Sequence, residues 1–334
     1  MSALAEQYDC VLLDLDGVLY RGPVGIPGAA EAVSALGDMG IATSFVTNNA
    51  SRTPGEVASH LVELGIAAAP QDVVTSAQAG AHILSTHLPS GSLVYVVGGA
   101  GIEAALGEVG LHGVRSPEGA AAVIQGFGPE VRWSDLAEAA YLVQSGVYWV
   151  ATNMDTTFPT ERGIAPGNGS LVRAVEAAAG RDPDAVAGKP APALGRLAIE
   201  RAGATQALMV GDRYDTDIAG GIALGIPTYL VLTGVTTSAD VWRSTIRSTY
   251  IAEGLDALLH PYLQPTMVDN SAVCGGSSAQ FDVQRNAVIA SGGEFIESLR
   301  AAEELKWNLA ISRGIDSFAV GDIGLLIDGR VVTE

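Results

Sequence analysis

The chain has 334 residues, enough for about two domains and an appendage at roughly 100–200 residues per domain. With 48% apolar residues, only 16% charged residues and 41 glycines, the composition excludes disorder or a fibrous architecture for most of the chain. Eighteen Lys and Arg against 37 Asp and Glu give a net charge of −19, which argues against nucleic acid or an anionic membrane surface as a partner; a small anion is accepted only where a cation or a local Lys or Arg reverses the field.

The first ten residues carry Glu6 and Asp9 where a secretory signal would carry a basic and then an apolar stretch, so the expected location is cytoplasmic. No run reaches ~18 apolar residues, and no membrane span is expected. Two cysteines, Cys10 and Cys274, cannot form a disulfide framework or a cysteine-rich zinc site.

Taken in chain order, apolar runs of β type alternate with helical patterns. CVLLDLD (10–16) precedes a helix near 27–38, and IATSFVTN (41–48) precedes a helix near 54–64. This is the rhythm of a parallel sheet. Thr53, Pro54 and Glu56 predict the second helix start as a capping box with proline at its first position. A second series follows from about residue 82: LVYVVGG (93–99), AAVIQGF (121–127) and VYWVATN (147–153), with helices near 101–109 and 134–145. Glycine and proline then cluster in 162–169, a helix runs to about 179, and 181–192 reads as irregular. The first rhythm resumes with a helix near 192–202, ALMVGD (207–212), a helix near 216–224, TYLVLTG (228–234) and a short helix near 254–260. The tail holds QFDVQRNAVIA, an amphipathic helix near 293–312, and FAVGDIGLLIDGRVV with Asp328-Gly329 as a hairpin turn. The expected organisation is a core of residues 1–81 and 184–260, an α/β insertion of 82–183, and a C-terminal extension of 261–334.

The first strand runs into Asp14-Leu15-Asp16-Gly17. Carboxylates two apart on a strand face one side, and at the C-terminal end of a parallel strand they project into the crevice where open α/β sheets hold ligands. Such a pair can divide roles, one ionised and one protonated, because like charges push their pKa values apart. The competing reading is a strand-end acidic pair that caps the next helix or sits in solvent. ALMVGDRYDTD places a second acidic cluster, Asp212, Asp215 and Asp217, at another strand end. If these strands are neighbours, Asp14 and Asp212 can share one hard cation, and Mg²⁺ fits oxygen ligands better than Zn²⁺ does. None of the five histidines has ligand spacing. Thr47-Asn48-Asn49 ends a third strand with donors suited to phosphoryl oxygens, and Lys189 is the cation of an otherwise irregular segment; it is not a Walker lysine, because Pro190 stands where Ser or Thr is required. Gly99-x-Gly101-x-x-Ala104 sits between a strand and a helix as a dinucleotide fingerprint would, but no acidic residue ends the following strand, and the glycines read as a tight turn.

Strand-DxDG, strand-TNN, a lone lysine and strand-GDxxxTD, in that order, resemble the haloacid dehalogenase superfamily of phosphatases. The insertion between the second and third motifs, with TNNASRTPGEV, VVGGAG, ATNMDTTFPTERG and GKPAP as landmarks, resembles the branch of phosphoglycolate, glycerol-3-phosphate and pyridoxal-phosphate phosphatases and bacterial nucleotidases. Within it, the sequence is most similar to actinobacterial glycerol-3-phosphate phosphatases. The resemblance spans about residues 8–260. It implies a three-layer, Rossmann-like parallel-sheet α/β core with an inserted α/β cap, followed here by a C-terminal α+β extension. It further implies a Mg²⁺-dependent phosphatase of small phosphomonoesters, most similar to those acting on glycerol 3-phosphate, that works through an aspartyl-phosphate. Asp14 would be the nucleophile and Asp16 the general acid and base. Mg²⁺ would be held by Asp14, the Asp16 carbonyl and Asp212, with Asp217 orienting the metal shell. Thr47, Asn48, Asn49 and Lys189 would hold the phosphoryl group. Asp215 lies off the pattern. Asp155, Thr156, Arg162 and Arg115 are candidates to face the leaving group. The alternatives are a phosphoglycolate, pyridoxal-phosphate or nucleotide phosphatase, or a catalytically silent binding module. Caps of this branch point to a homodimer, and the tail reads as a packing or dimerisation element, too short for a full acyl-CoA site if it derives from an acyltransferase fold.

Overall fold

In a computed structural model, residues 2–160, 162–313 and 323–332 are described. The chain starts with β1 (Cys10–Leu13), a small flap of β2 (Tyr20–Arg21) and β3 (Val24–Gly25), α1 (Ala29–Asp38), β4 (Ala42–Thr47), α2 (Pro54–Glu63), β5 (Val73–Thr75) and α3 (Ser76–His87). The α2 start is the expected capping box: the Thr53 hydroxyl accepts the Glu56 N–H, and the Glu56 carboxylate accepts the Thr53 N–H. β5 and α3 were not foreseen. β5 is three residues long and wholly buried, so it shows no alternation to read.

The insertion contributes β6 (Leu93–Val97), α4 (Ala100–Glu108), β7 (His112–Val114), β8 (Ala122–Gln125), α5 (Trp133–Gln144), β9 (Tyr148–Ala151), a hairpin of β10 (Thr157–Thr160) and β11 (Gly163–Pro166), α6 (Asn168–Ala179) and β12 (Ala185–Val186). These strands form a parallel sheet in the order β12-β9-β8-β6-β7, with the hairpin apart from it. Because Ala185 and Val186 pair with Val150 and Ala151, the second sheet takes in residues beyond 183, where the sequence analysis ends the insertion. The stretch expected as a glycine- and proline-rich loop holds β11.

The chain then returns to the first sheet with α7 (Ala193–Ala202), β13 (Ala207–Gly211), a π-type turn over Tyr214–Ile218, α8 (Ala219–Leu224), β14 (Thr228–Val231), α9 (Ser238–Arg243) and β15 (Tyr250–Ala252). The helix expected from residue 216 therefore starts later, because the Ile218 N–H reaches back five residues to the Arg213 carbonyl at 3.1 Å. The sheet order is β15-β14-β13-β1-β4-β5, all parallel. Alternate residues of β1 enter different apolar clusters: Val11 and Leu13 pack with α1 and α2, Cys10 and Leu12 with α3 and α7. Both faces are thus covered, as a parallel sheet requires.

The tail consists of β16 (Thr266–Val268), β17 (Ser271–Cys274), β18 (Ser277–Asp282), β19 (Ala287–Ser291), α10 (Phe295–Arg313), β20 (Gly324–Ile327) and β21 (Arg330–Val331), in one six-stranded sheet of sequential order. Asp328-Gly329 does turn a hairpin, β20 against β21; residues 318–322 of the stretch expected to precede it lie outside the described residues. One apolar cluster joins Leu299, Leu305 and Val288 of the tail to Ile218, Leu230, Trp242 and Ile251 of the core. Among the described residues, no helix is long and apolar enough to cross a membrane.

Candidate active site

The adjacency of β4, β1 and β13 brings three strand ends together and with them most of the expected residues. Asp14 follows β1, Thr47 ends β4, and Asp212 follows β13. Asp16 lies one turn on from Asp14, at the root of the flap. Gly17 has φ 84°, a left-handed conformation open to glycine, and a Cβ there would overlap the Asp212 carboxylate. Gly234, after β14, lies equally close to Asp212. Glycine is therefore required where two loops close over one aspartate.

The carboxylates of Asp14, Asp212 and Asp217 each place an oxygen within 4.8 Å of the others. Lys189 enters from the segment before α7, its ammonium 2.5 Å from Asp14 Oδ1 and 2.7 Å from Asp217 Oδ1. Asp217 is thus a direct partner of the lysine. Asp212 Oδ2 accepts the Val235 N–H at 2.6 Å, whereas its buried Oδ1 has no hydrogen-bond partner among the described residues. Three carboxylates around one ammonium leave an excess of buried negative charge. Burial pushes Asp14 above the ordinary carboxylate range, with Lys189 opposing and Asp212 adding to the shift. Burial likewise pushes Asp212 and Asp217 up to about 6, helped by Asp217 at the first and opposed by Lys189 at the second. Burial works against the Lys189 charge, but Asp14 and Asp217 outweigh it and hold the ammonium protonated well above its usual pKa.

Asp16 is open to solvent. Partial desolvation raises its pKa against backbone N–H groups of Gly22 and Gly17 and the nearby Arg21 charge. The remaining expected residues are less uniform. Thr47 is buried, and its hydroxyl accepts the Asn49 N–H at 3.1 Å. Asn48 is a bracket: its Oδ1 accepts the Lys189 N–H at 2.8 Å, while its amide donates to the Lys189 carbonyl at 3.0 Å and to Asp155 Oδ2 at 3.1 Å. The Asn48 side chain thus fixes the lysine and reaches the cap. Asn49 is exposed, with Oδ1 held by the N–H and hydroxyl of Ser51. Asp215 forms an ion pair with Arg213 at 2.6 Å. Among the cap candidates, Asp155 meets Asn48, Thr156 offers its carbonyl to Ser170 and Gly167, and Arg162 sits exposed in the β10–β11 turn. Arg115 is spent on Glu103 and on the carbonyls of Val96 and Gly98.

Sequence reasoning missed the supports. The Ser76 hydroxyl and the Asn153 amide both donate to the Asn48 carbonyl, at 2.6 and 2.7 Å, and the Thr233 hydroxyl donates to the Gly17 carbonyl at 2.7 Å. The signal available was positional: each lies just past the end of a strand.

The orphaned Asp212 oxygen and the hard, all-oxygen donor set fit a divalent cation of the Mg²⁺ type. Residues 11–112 match the family model of haloacid dehalogenase-like hydrolases, and residues 186–258 match a second model of the same hydrolases. The chain is 48% identical to the D-glycerol 3-phosphate phosphatase of Mycobacterium tuberculosis over 261 residues, 77% of this chain and 73% of that protein. It is 40% identical to an acid sugar phosphatase of Staphylococcus aureus over 253 residues, 75% of this chain and 96% of that protein. Among solved structures, it is similar to a glycerol phosphate phosphatase from Mycobacterium tuberculosis in complex with magnesium, with TM-score 0.81 and 40% identity, covering 98% of this chain and 95% of that one. A p-nitrophenyl phosphatase from Archaeoglobus fulgidus matches with TM-score 0.71 and 29% identity over 76% of this chain and 98% of that one.

Proposed function

The chain belongs to the haloacid dehalogenase-like hydrolases and is a phosphatase, and from that premise we propose that it hydrolyses glycerol 3-phosphate through a phosphorylated Asp14. The observation that carries the reading is a cluster of three carboxylates, two of them paired with Lys189, in a chain that matches a magnesium-bound glycerol phosphate phosphatase along 98% of its length.

Asp14, Asp212 and the Asp16 carbonyl would hold Mg²⁺, with Asp217 beside them. When bound, the ion supplies the positive charge that lets an anionic phosphoryl group approach three carboxylates. Lys189 adds a positive charge directly beside Asp14 and opposes the protonation that burial favours there. An Asp14 oxygen bonds to phosphorus as the ester P–O bond breaks, and the Asp16 carboxyl gives its proton to the departing alkoxide. Its raised pKa and its solvent-facing position suit both halves of the task. Asp16, now ionised, takes a proton from the water that attacks phosphorus, and phosphate leaves as the Asp14 carboxylate re-forms. Asn48 holds the Lys189 backbone and links it to Asp155 of the cap. A roof of this kind favours small leaving groups.

Phosphate release from glycerol 3-phosphate, phosphoglycolate, sugar phosphates, pyridoxal phosphate and nucleotides, with and without Mg²⁺, tests the reading. Mg²⁺-dependent kcat/KM should be highest on glycerol 3-phosphate. A higher value on a sugar phosphate or phosphoglycolate would overturn the substrate, and no turnover on any of them would overturn the enzyme.

A further inference from the structure

The loop between β14 and α9 bonds to two parts of the site at once. The Val235 N–H donates to Asp212 Oδ2 at 2.6 Å, and the Thr236 N–H to the Asp212 carbonyl at 3.2 Å. Just before them, the half-buried Thr233 donates its hydroxyl to the Gly17 carbonyl at 2.7 Å. The Arg21 guanidinium of the flap donates to the Gly234 carbonyl at 3.4 Å. The junction is tight, since a Cβ on either Gly17 or Gly234 would overlap the Asp212 carboxylate. One loop thus joins an assigned metal ligand to the root of the flap.

The bond to Gly17 bears on Asp16, its neighbour in the chain. The Gly17 N–H donates to the Tyr20 carbonyl at 2.8 Å, and the Leu15 carbonyl accepts the Leu19 N–H at 2.9 Å. Because a peptide is planar and trans, a fixed Gly17 N–H also fixes the Asp16 carbonyl. Thr233 fixes the next peptide plane through the Gly17 carbonyl. Between the two planes stands a glycine at φ 84°, the residue with the most backbone freedom to lose. The flap holds one side of that pivot, and Thr233 holds the other.

From this geometry we propose that Thr233 is a positioning residue for the general acid: by holding the Gly17 carbonyl it keeps the flap root, and with it the Asp16 carboxyl, in register with Asp212. This rests on the assignment of Asp16 as the proton donor. It makes the effect of Thr233 depend on the leaving group. A glycerol alkoxide takes the Asp16 proton as the P–O bond breaks, whereas 4-nitrophenolate, a delocalised anion, leaves without one. A misplaced acid slows the alkyl ester and spares the aryl ester. A misplaced metal ligand or a loosened fold slows both alike.

The test compares kcat/KM, which covers the steps through P–O cleavage, on 4-nitrophenyl phosphate and on glycerol 3-phosphate, or on whichever alkyl phosphate the substrate panel ranks first. It uses the full chain with saturating Mg²⁺, and Tm is read beside it. Thr233→Val keeps the branched shape without the hydroxyl. Its kcat/KM should fall by about 10–100-fold on the alkyl ester, the scale of losing a support behind a reacting group, and by about threefold at most on the aryl ester. Thr233→Ser keeps the donor and should match the native chain on both. Thr233→Ala takes the place of the valine variant if that one does not fold. The proposal is overturned if the two esters lose alike, if neither loses, or if the serine variant behaves as the valine variant does. Asp16→Asn is the control on the assignment and should show the same leaving-group dependence more strongly. Should it slow both esters alike, the acid reading of Asp16 fails, independently of Thr233.

Discussion

At the strand ends of the first sheet, Asp14, Asp212 and Asp217 cluster, Asp14 and Asp217 share the ammonium of Lys189, and an Asp212 carboxylate oxygen is buried with no partner among the described residues. Where α10 meets the same sheet, charge is buried too, but Lys306 and Arg300 are spent on the carbonyls of Trp242, Ser244 and Ile251. The first cluster is incomplete without something positive. In the second, the cations close helix and strand ends, so the charge serves docking. Burial alone does not mark a functional group; excess charge with an unsatisfied atom does.

The comparison can be broken from either side. The largest effect should come beside the first cluster: Asp16→Asn removes the proton donor and should lower kcat by about 10²–10⁴-fold, with Mg²⁺ binding retained in calorimetry because only its backbone carbonyl is assigned to the ion. Lys189→Met should be costly to stability. Removing one partner of a buried ion pair costs about 3–5 kcal/mol of stability, and denaturant unfolding of the metal-free variant should show it. Equal stability of variant and native chain would mean that the carboxylates simply take up protons instead.

The smallest effect belongs to the second cluster and depends on pH. Burial raises the Glu303 carboxyl from its ordinary 4.5 to about 7, against the opposing Arg247 charge and the Trp307 indole. Because the folded pKa is the higher one, its stabilising contribution is complete below about pH 4.5 and is lost as pH rises through about 7. Lys306 runs the other way: desolvation lowers it from 10.5 to about 8, so its contribution is complete above the unfolded value and lost as pH falls through about 8. Glu303→Gln stays neutral throughout, and its Tm should exceed that of the native chain at pH 8 by a few degrees and match it at pH 4.5. Identical pH profiles for the two proteins would remove Glu303 from the tail's titration.

How much of this was legible in the sequence follows from how local each signal is. Asp14 and Asp212 each close an apolar strand, with Asp16 two residues after Asp14, and the Thr53 to Glu56 capping box is complete within four residues; both patterns stand on the line of sequence. The role of Asn48 was not legible, because its hydrogen-bonding partner Lys189 lies 141 residues away, and two amides at a strand end read the same whether they meet a ligand or another loop. Asn49 looked like its neighbour but turns outward to Ser51. The hairpin of β10 and β11 was hidden because glycine and proline there signal a turn without saying that the turn's arms pair. Glu303 was masked for a different reason: on an amphipathic helix an acidic residue reads as solvated face, and only the docking of α10 on the core buries it.

The account stands or falls on Asp14 as the group that takes the phosphoryl. The most direct measurement is a rapid acid quench during turnover of ³²P-labelled glycerol 3-phosphate with Mg²⁺, followed by mapping of protein-bound label. The account predicts label on the peptide carrying Asp14, and none in Asp14→Asn, which should also lose turnover by at least about 10⁴-fold. Phosphate release by Asp14→Asn at the native rate, or label on any other residue, would contradict it.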